Sequence, residues 1–174
     1  MLLSIYRICI SIISIKIIGK YGRRLMMLTG IALIGLCLFT MFIMFTFQNK
    51  IPTIAPWVIL GAILFFVFNF TTSVGPVMWI YCSEIVQPRT FSAAITVHWI
   101  ATALVAVAFP LAKSACGNPD CPYIFLFLFL CMVINFIVEY IFMIETKGKT
   151  EIEIREEFNM MKICWCNDWI ELIL

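Results

Sequence analysis

The stretch from Leu25 to Phe47 contains no charged residue. Coiled as an α-helix at about 1.5 Å per residue, it is long enough to cross the roughly 30 Å hydrocarbon core of a bilayer. Four further runs share its character: Met1 to about Ile18, interrupted by Arg7 and Lys16; Trp57 to about Cys82; Ser92 to about Leu111; and Pro122 to Ile144, which carries Glu139. A soluble domain could not absorb them. Of the 174 residues, 63% are hydrophobic and 13% are charged, and the mean hydropathy is +1.05. A soluble surface needs about 25% charged residues. Only helices satisfy their own backbone groups in lipid in segments of this kind. Five such spans joined by short loops therefore predict an all-α membrane protein, a transmembrane bundle over residues 1–149. The opening MLLSIYRICISIISI runs into a basic loop without a small-residue cleavage site, so it reads as a span and not as a cleavable signal.

The basic residues orient the bundle. With the Lys20–Arg24 loop in the cytoplasm, Lys16, Lys20, Arg23, Arg24, Arg89, Lys147, Lys149, Arg155 and Lys162 fall inside, against only Lys50 and Lys113 outside. Arg7 lies near the outer end of the first span, where its long side chain could snorkel to the surface. The N-terminus is then outside and the C-terminus inside, an arrangement natural for a piece of a longer protein.

Beyond the last span, Thr150-Glu-Ile-Glu153 has capping-box spacing, Glu151 and Arg155 follow at i,i+4, and Ile154, Phe158 and Met161 share one stripe. A short amphipathic cytoplasmic helix is expected there, followed by the apolar tail Ile163–Leu174, which makes 150–174 a separate segment. Cys164 and Cys166 in that tail are candidates for palmitoylation at a membrane surface. Most of the eight cysteines sit in apolar runs and act as small hydrophobes, not as a disulfide framework. In the outer loop, Cys116 and Cys121 read either as a disulfide or as two free thiols.

Three short stretches on the cytoplasmic side carry most of the functional information. Gly22-Arg23-Arg24 joins the first two spans; glycine permits a tight turn, and the arginines stand at the entrance of the next helix. In Gly75-Pro76-Val-Met-Trp79, proline removes a backbone hydrogen bond and kinks the span beside a polar turn of Asn69, Thr71, Thr72 and Ser73, a reasonable hinge next to a cavity. Residues 69, 72, 73, 76 and 80 share a stripe that should face protein or water, with Trp79 at its edge. Finally, Glu145-Thr-Lys147-Gly148 leaves the last span, and Glu145 and Glu84 are placed to pair with Arg23, Arg24 or Arg89 as a latch between helix ends. The ordinary alternatives are a positive-inside anchor, packing through small polar side chains, and solvated headgroup charges.

In this order and at these distances the three stretches resemble the sugar porter family of the major facilitator superfamily, over Met1 to about Phe158. The resemblance implies a partial C-terminal half bundle, the eighth to twelfth helices of a twelve-helix carrier. Trp79 matches the family's tenth-helix tryptophan, which packs on the sugar; an aromatic face suits the C–H side of a pyranose. Asn69, Thr71 and Thr102 are candidates for its hydroxyls, Gly75 and Pro76 for the hinge, and Arg23, Arg24, Glu84, Arg89 and Glu145 for a cytoplasmic gate. The chain departs from the family pattern at Gly19, where an acid is usual, at Phe91, Pro88 and Ile144, and at Thr102-Ala103 in place of Asn-Trp. Glu139, at membrane depth, raises proton coupling as one option and a hydrogen bond to a neighbouring helix as the other. His98 reads as a core polar residue facing another helix.

No nucleophile–base spacing or phosphate-binding glycine loop occurs, and the sole histidine lies in a span, so an enzyme is not expected. Neither are a cofactor, a metal or a nucleic-acid partner. The expected activity is movement of a hexose or related sugar by alternating access, with membrane lipid as solvent and with a missing N-terminal half or a partner chain completing the carrier. The alternatives are transport of another organic solute, or a truncated protein that partners a full-length carrier. The plasma membrane is the family's default location, and an internal membrane is the other.

Overall fold

A computed structural model describes residues 2–86, 88–115, 121–150 and 152–160. Its helices are α1 (Leu2–Lys20), α2 (Arg23–Phe47), α3 (Ala55–Asn69), α4 (Gly75–Ile85), α5 (Pro88–Ala115) and α6 (Pro122–Phe142), followed by a short α7 over 152–160. No strand occurs among the described residues. A single π-helical turn, Phe70–Val74, welds α3 to α4, so one continuous helix of 31 residues runs from Ala55 to Ile85. Among the described residues, four segments are long and apolar enough to cross a membrane: Arg23–Phe47, Ala55–Ile85, Thr90–Ser114 and Pro122–Phe142. The helices overrun the apolar runs where the chain can extend into a headgroup layer. The third begins at Ala55, with Pro56 in its first turn, and the fourth begins at Pro88; proline suits a first turn because its missing N–H would have no partner there. The last helix stops at Phe142, short of Ile144, because Met143 turns extended (φ −79°, ψ 121°).

Helix α2 is the hub. It packs along α6 and against α3, α4 and the π turn. Met26, Met27, Ile31, Val77 and Met143 form the buried core, with Ile17, Met78, Tyr81 and Phe136 packed around it. Further along, Phe39 meets Phe129 at 5.1 Å and Phe45 stacks on Phe125 at 5.0 Å, so aromatic pairs extend the α2–α6 seam. Gly30 lets α2 approach the π turn: a Cβ there would overlap the Ser73 side chain. Small residues that admit close backbones are how membrane helices gain packing energy without a hydrophobic drive. Helix α5 stands apart. Its main contact is with α4, and none of its described side chains is buried.

Candidate functional site

At the end of the bundle where α1, α4 and α6 terminate, three elements meet on two carboxylates. Glu145 accepts hydrogen bonds from the backbone N–H groups of Arg23 (2.9 Å) and Arg24 (3.2 Å), the first residues of α2. Gly22, the residue before that helix, offers no side-chain cap, and two arginines in a first turn oppose the helix dipole. A carboxylate brought from more than a hundred residues away satisfies the orphan donors and neutralises that end. Gly22 is extended (φ −69°, ψ 150°), a conformation open to any residue. Its smallness is required because a Cβ would overlap the Glu145 carboxylate, not because the turn needs glycine's freedom as the sequence suggested.

Glu84, at the end of α4, binds the Arg23 guanidinium at 2.8 Å through one oxygen and accepts the Thr146 hydroxyl at 2.5 Å through the other. Arg24 instead donates to the Tyr140 carbonyl at 2.8 Å and lies over that residue's ring. The Tyr81 hydroxyl accepts the Ile144 N–H at 3.0 Å, and Lys147 Nζ donates to the Lys20 carbonyl at 2.6 Å. Four of the five residues proposed for a gate thus converge on one site. The side chain of the fifth, Arg89, lies outside the described part of the structure. The sequence missed Tyr81 and Thr146 in this network; neither belongs to a charge pattern, which was the signal followed there.

The hinge residues sit where the π turn ends. The Gly75 N–H reaches back five residues to the Phe70 carbonyl. In that pattern residue 76 should donate to the Thr71 carbonyl, but proline has no N–H. Ser14 of α1 reaches it instead, its hydroxyl shared between the Ile10 carbonyl at 3.0 Å and Thr71 O at 3.2 Å. The expected kink is therefore a π turn stapled by a neighbouring helix. Asn69, Thr72 and Ser73 are buried, while Pro76 and Ile80 are only half-buried, because the extra residue of the π turn rotates the stripe that a regular helix would have kept in line.

The four candidate sugar contacts fall in three places. Thr71 lines an open cavity of about 360 Å³ with Arg7, Ser11, Ser14, Gly75 and Pro76, and its hydroxyl has no partner. Asn69 donates to the Phe65 carbonyl of its own helix at 2.8 Å. Trp79 faces α5, edge-on to His98 (5.1 Å) and Phe91 (6.3 Å). Thr102, one turn beyond His98, is exposed and bonded to the His98 carbonyl. His98 is therefore a second aromatic partner at Trp79, on the helix where it was expected to face a neighbour. On α6, Asn135 lies 3.5 Å from Glu139, whose second oxygen has no hydrogen-bond partner.

The capping box is present: Glu153 accepts the Thr150 N–H at 2.7 Å and its hydroxyl at 2.9 Å, and Thr150 Oγ1 receives the Glu153 N–H at 3.4 Å. The hydrogen bonds from Thr150 hold the Glu153 carboxyl below the usual glutamate range. Buried Ile154 and half-buried Phe158 set α7 against Glu84 and Ile85. Glu151, Met161, Cys116 and the tail with Cys164 and Cys166 lie outside the described residues.

Comparison with known proteins points one way. The chain is 28% identical over 152 residues to the facilitated glucose transporter member 1 of Gallus gallus, covering 85% of this chain and 30% of that protein. It is 31% identical over 157 residues to the D-xylose-proton symporter-like 1 of Arabidopsis thaliana, covering 88% of this chain and 30% of that protein. The inward open structure of the xylose transporter XylE from E. coli superposes with a TM-score of 0.71 at 25% identity, over 89% of this chain and 34% of that one. The chain spans about a third of the length of these relatives. The relatives are transporters and not enzymes, and the fold is of the major-facilitator type. A model of the "Sugar (and other) transporter" family matches residues 1–158 of the 174, and the chain belongs to that family of multi-pass membrane transport proteins.

Proposed function

We propose that the chain supplies the eighth to twelfth helices of a longer carrier that moves a hexose or related sugar by alternating access, with α1 as the fifth span. The observation that carries the reading is the network at the helix ends, where Glu84 and Glu145 tie together α2, α4 and the segment after α6. Rocking of one bundle against another needs helix ends held together, with a hinge elsewhere, and the π turn at Phe70–Val74 is the break in the otherwise regular long helix. Thr71, within that hinge, and Trp79, beyond it on α4, would meet the solute, Asn69 and Thr102 joining them when the remaining helices close the site. The basic loops favour a cytoplasmic latch, and the plasma membrane is the location expected of the carrier. Transcript sequencing across the start codon, then uptake of labelled hexoses and pentoses by the protein so encoded, tests the reading. Seven further spans and saturable sugar uptake support it. Uptake that ignores every sugar sinks the sugar assignment, and a genuine start at Met1 with co-purification of a full-length homologue favours a partner role instead.

A further inference from the structure

Arg7, Ser11, Ser14 and Ile18 are spaced four, three and four residues apart and so lie on one stripe of α1. That stripe forms one wall of the cavity whose other wall is Phe70, Thr71, Gly75 and Pro76. At about 360 Å³ it falls in the roughly 300–1,000 Å³ range of small-molecule sites. Arg7 stands 13 residues before Lys20, hence about 20 Å along the helix from the latch end. That is past the middle of a 30 Å hydrocarbon core. A guanidinium at such depth is retained where it faces a partner or a water-filled path. Arg7 has no acidic partner among the described residues. No Asp or Glu occurs on α1, on α3 or in the π turn, and the one acid of α4, Glu84, is bound to Arg23 and Thr146. The cavity therefore offers one fixed positive charge, the unpartnered Thr71 hydroxyl and the Ser11 hydroxyl, which donates to the Arg7 carbonyl and keeps its lone pairs free.

We propose that the solute is an oxyanion-bearing sugar, its carboxylate or phosphate gripped by Arg7 and its hydroxyls by Thr71 and Ser11. The planar fork of arginine matches both oxyanions in two parallel hydrogen bonds, which a neutral hexose cannot use. The proposal rests on the carrier reading above and names the substrate class of the same cavity.

The test reconstitutes the protein encoded by the full transcript in liposomes and measures uptake of labelled glucuronate, glucose 6-phosphate and glucose. One of the two anions should enter at least tenfold faster than glucose, and which one does so separates carboxylate from phosphate. Arg7→Gln should lower anion uptake at least tenfold, and Arg7→Lys, which keeps the charge but not the planar fork, should recover only part of it. Ligand-induced thermal stabilisation by the preferred anion should vanish in Arg7→Gln, and if that variant does not fold, the wild-type preference decides. Glucose uptake without anion uptake overturns the proposal and leaves the carrier reading standing. Anion uptake indifferent to Arg7→Gln also overturns it, the arginine then serving the headgroup layer alone. Uptake of none of the three overturns both.

Discussion

Glu145 lies so close over Gly22 that a single methyl group on Gly22 would occupy the space of its carboxylate. The contact has an energetic purpose, because the same carboxylate accepts the first two N–H groups of α2, a helix whose first turn holds two arginines and no acid. Gly22→Ala should displace Glu145 and leave those donors unmatched, at a cost of about 1–2 kcal/mol. Glu145→Ala should cost a similar amount, and the double variant little more than either alone. Thermal unfolding in detergent reads all three. Additive losses would show that the two residues act separately.

Glu84 is bound twice, by Arg23 and by Thr146, and so joins α4 to both partners of the latch. Its pair with Arg23 is about one-fifth to one-quarter exposed, so solvent screening keeps the pairwise term small. A double-mutant cycle on Arg23→Gln and Glu84→Gln should give a coupling of about 0.5–1 kcal/mol. Glu84→Ala should cost more than Arg23→Ala, because it also strands the Thr146 hydroxyl, which is buried at 3% exposure. Equal losses for the two alanine variants would mean that the Thr146 bond contributes nothing.

What hydropathy could show, it showed well. The charge-free run 25–47 is α2 almost to the residue, because nothing but a helix fits such a run in lipid. The latch charges were legible as a group, since basic loops and acidic helix ends cluster on one side. Their partners were not. Glu145 was expected to meet a guanidinium and meets backbone N–H groups, a choice set by how Met143 and Ile144 leave α6. The proline at 76 announced a break, yet the carbonyl it leaves bare is met by a hydroxyl from α1, a contact between residues 57 apart in sequence. Asn69 and Thr102 each donate to a carbonyl of their own helix, a bond that composition does not reveal and that leaves the amide oxygen of Asn69 and the lone pairs of Thr102 as acceptors.

The start of α7 should respond to acid. The Glu153 carboxyl is held below its ordinary range, first by the Thr150 N–H and then by its hydroxyl. A carboxyl with a depressed folded-state value stabilises the folded form above its unfolded value and loses that contribution as pH falls through the folded one. The protection of the amides in 152–160, relative to their intrinsic exchange rates, should therefore fall below the ordinary glutamate range and stay flat above it. In Glu153→Gln the pH step should disappear, with faster exchange already at neutral pH. A step that persists in the variant would assign it to another carboxylate.

Ser14 and Pro76 should be coupled through an atom that belongs to neither. The Thr71 carbonyl takes its hydrogen bond from Ser14 because Pro76 has none to give. Ser14→Ala alone should leave that carbonyl without a donor and cost about 1–2 kcal/mol. Pro76→Ala restores an N–H at the position from which the π pattern is completed, so the carbonyl becomes satisfied within its own helix. Against that background Ser14→Ala should cost only a few tenths of a kcal/mol, the non-additivity expected of residues that share one acceptor. The same pair should separate in transport: Pro76→Ala stiffens the helix at the turn and slows uptake, whereas Ser14→Ala loosens α1 and leaves the turn in place. Thermal unfolding of the four proteins gives the cycle, and a Ser14→Ala penalty undiminished beside Pro76→Ala would show that the serine acts through its bond to the Ile10 carbonyl and not through Thr71.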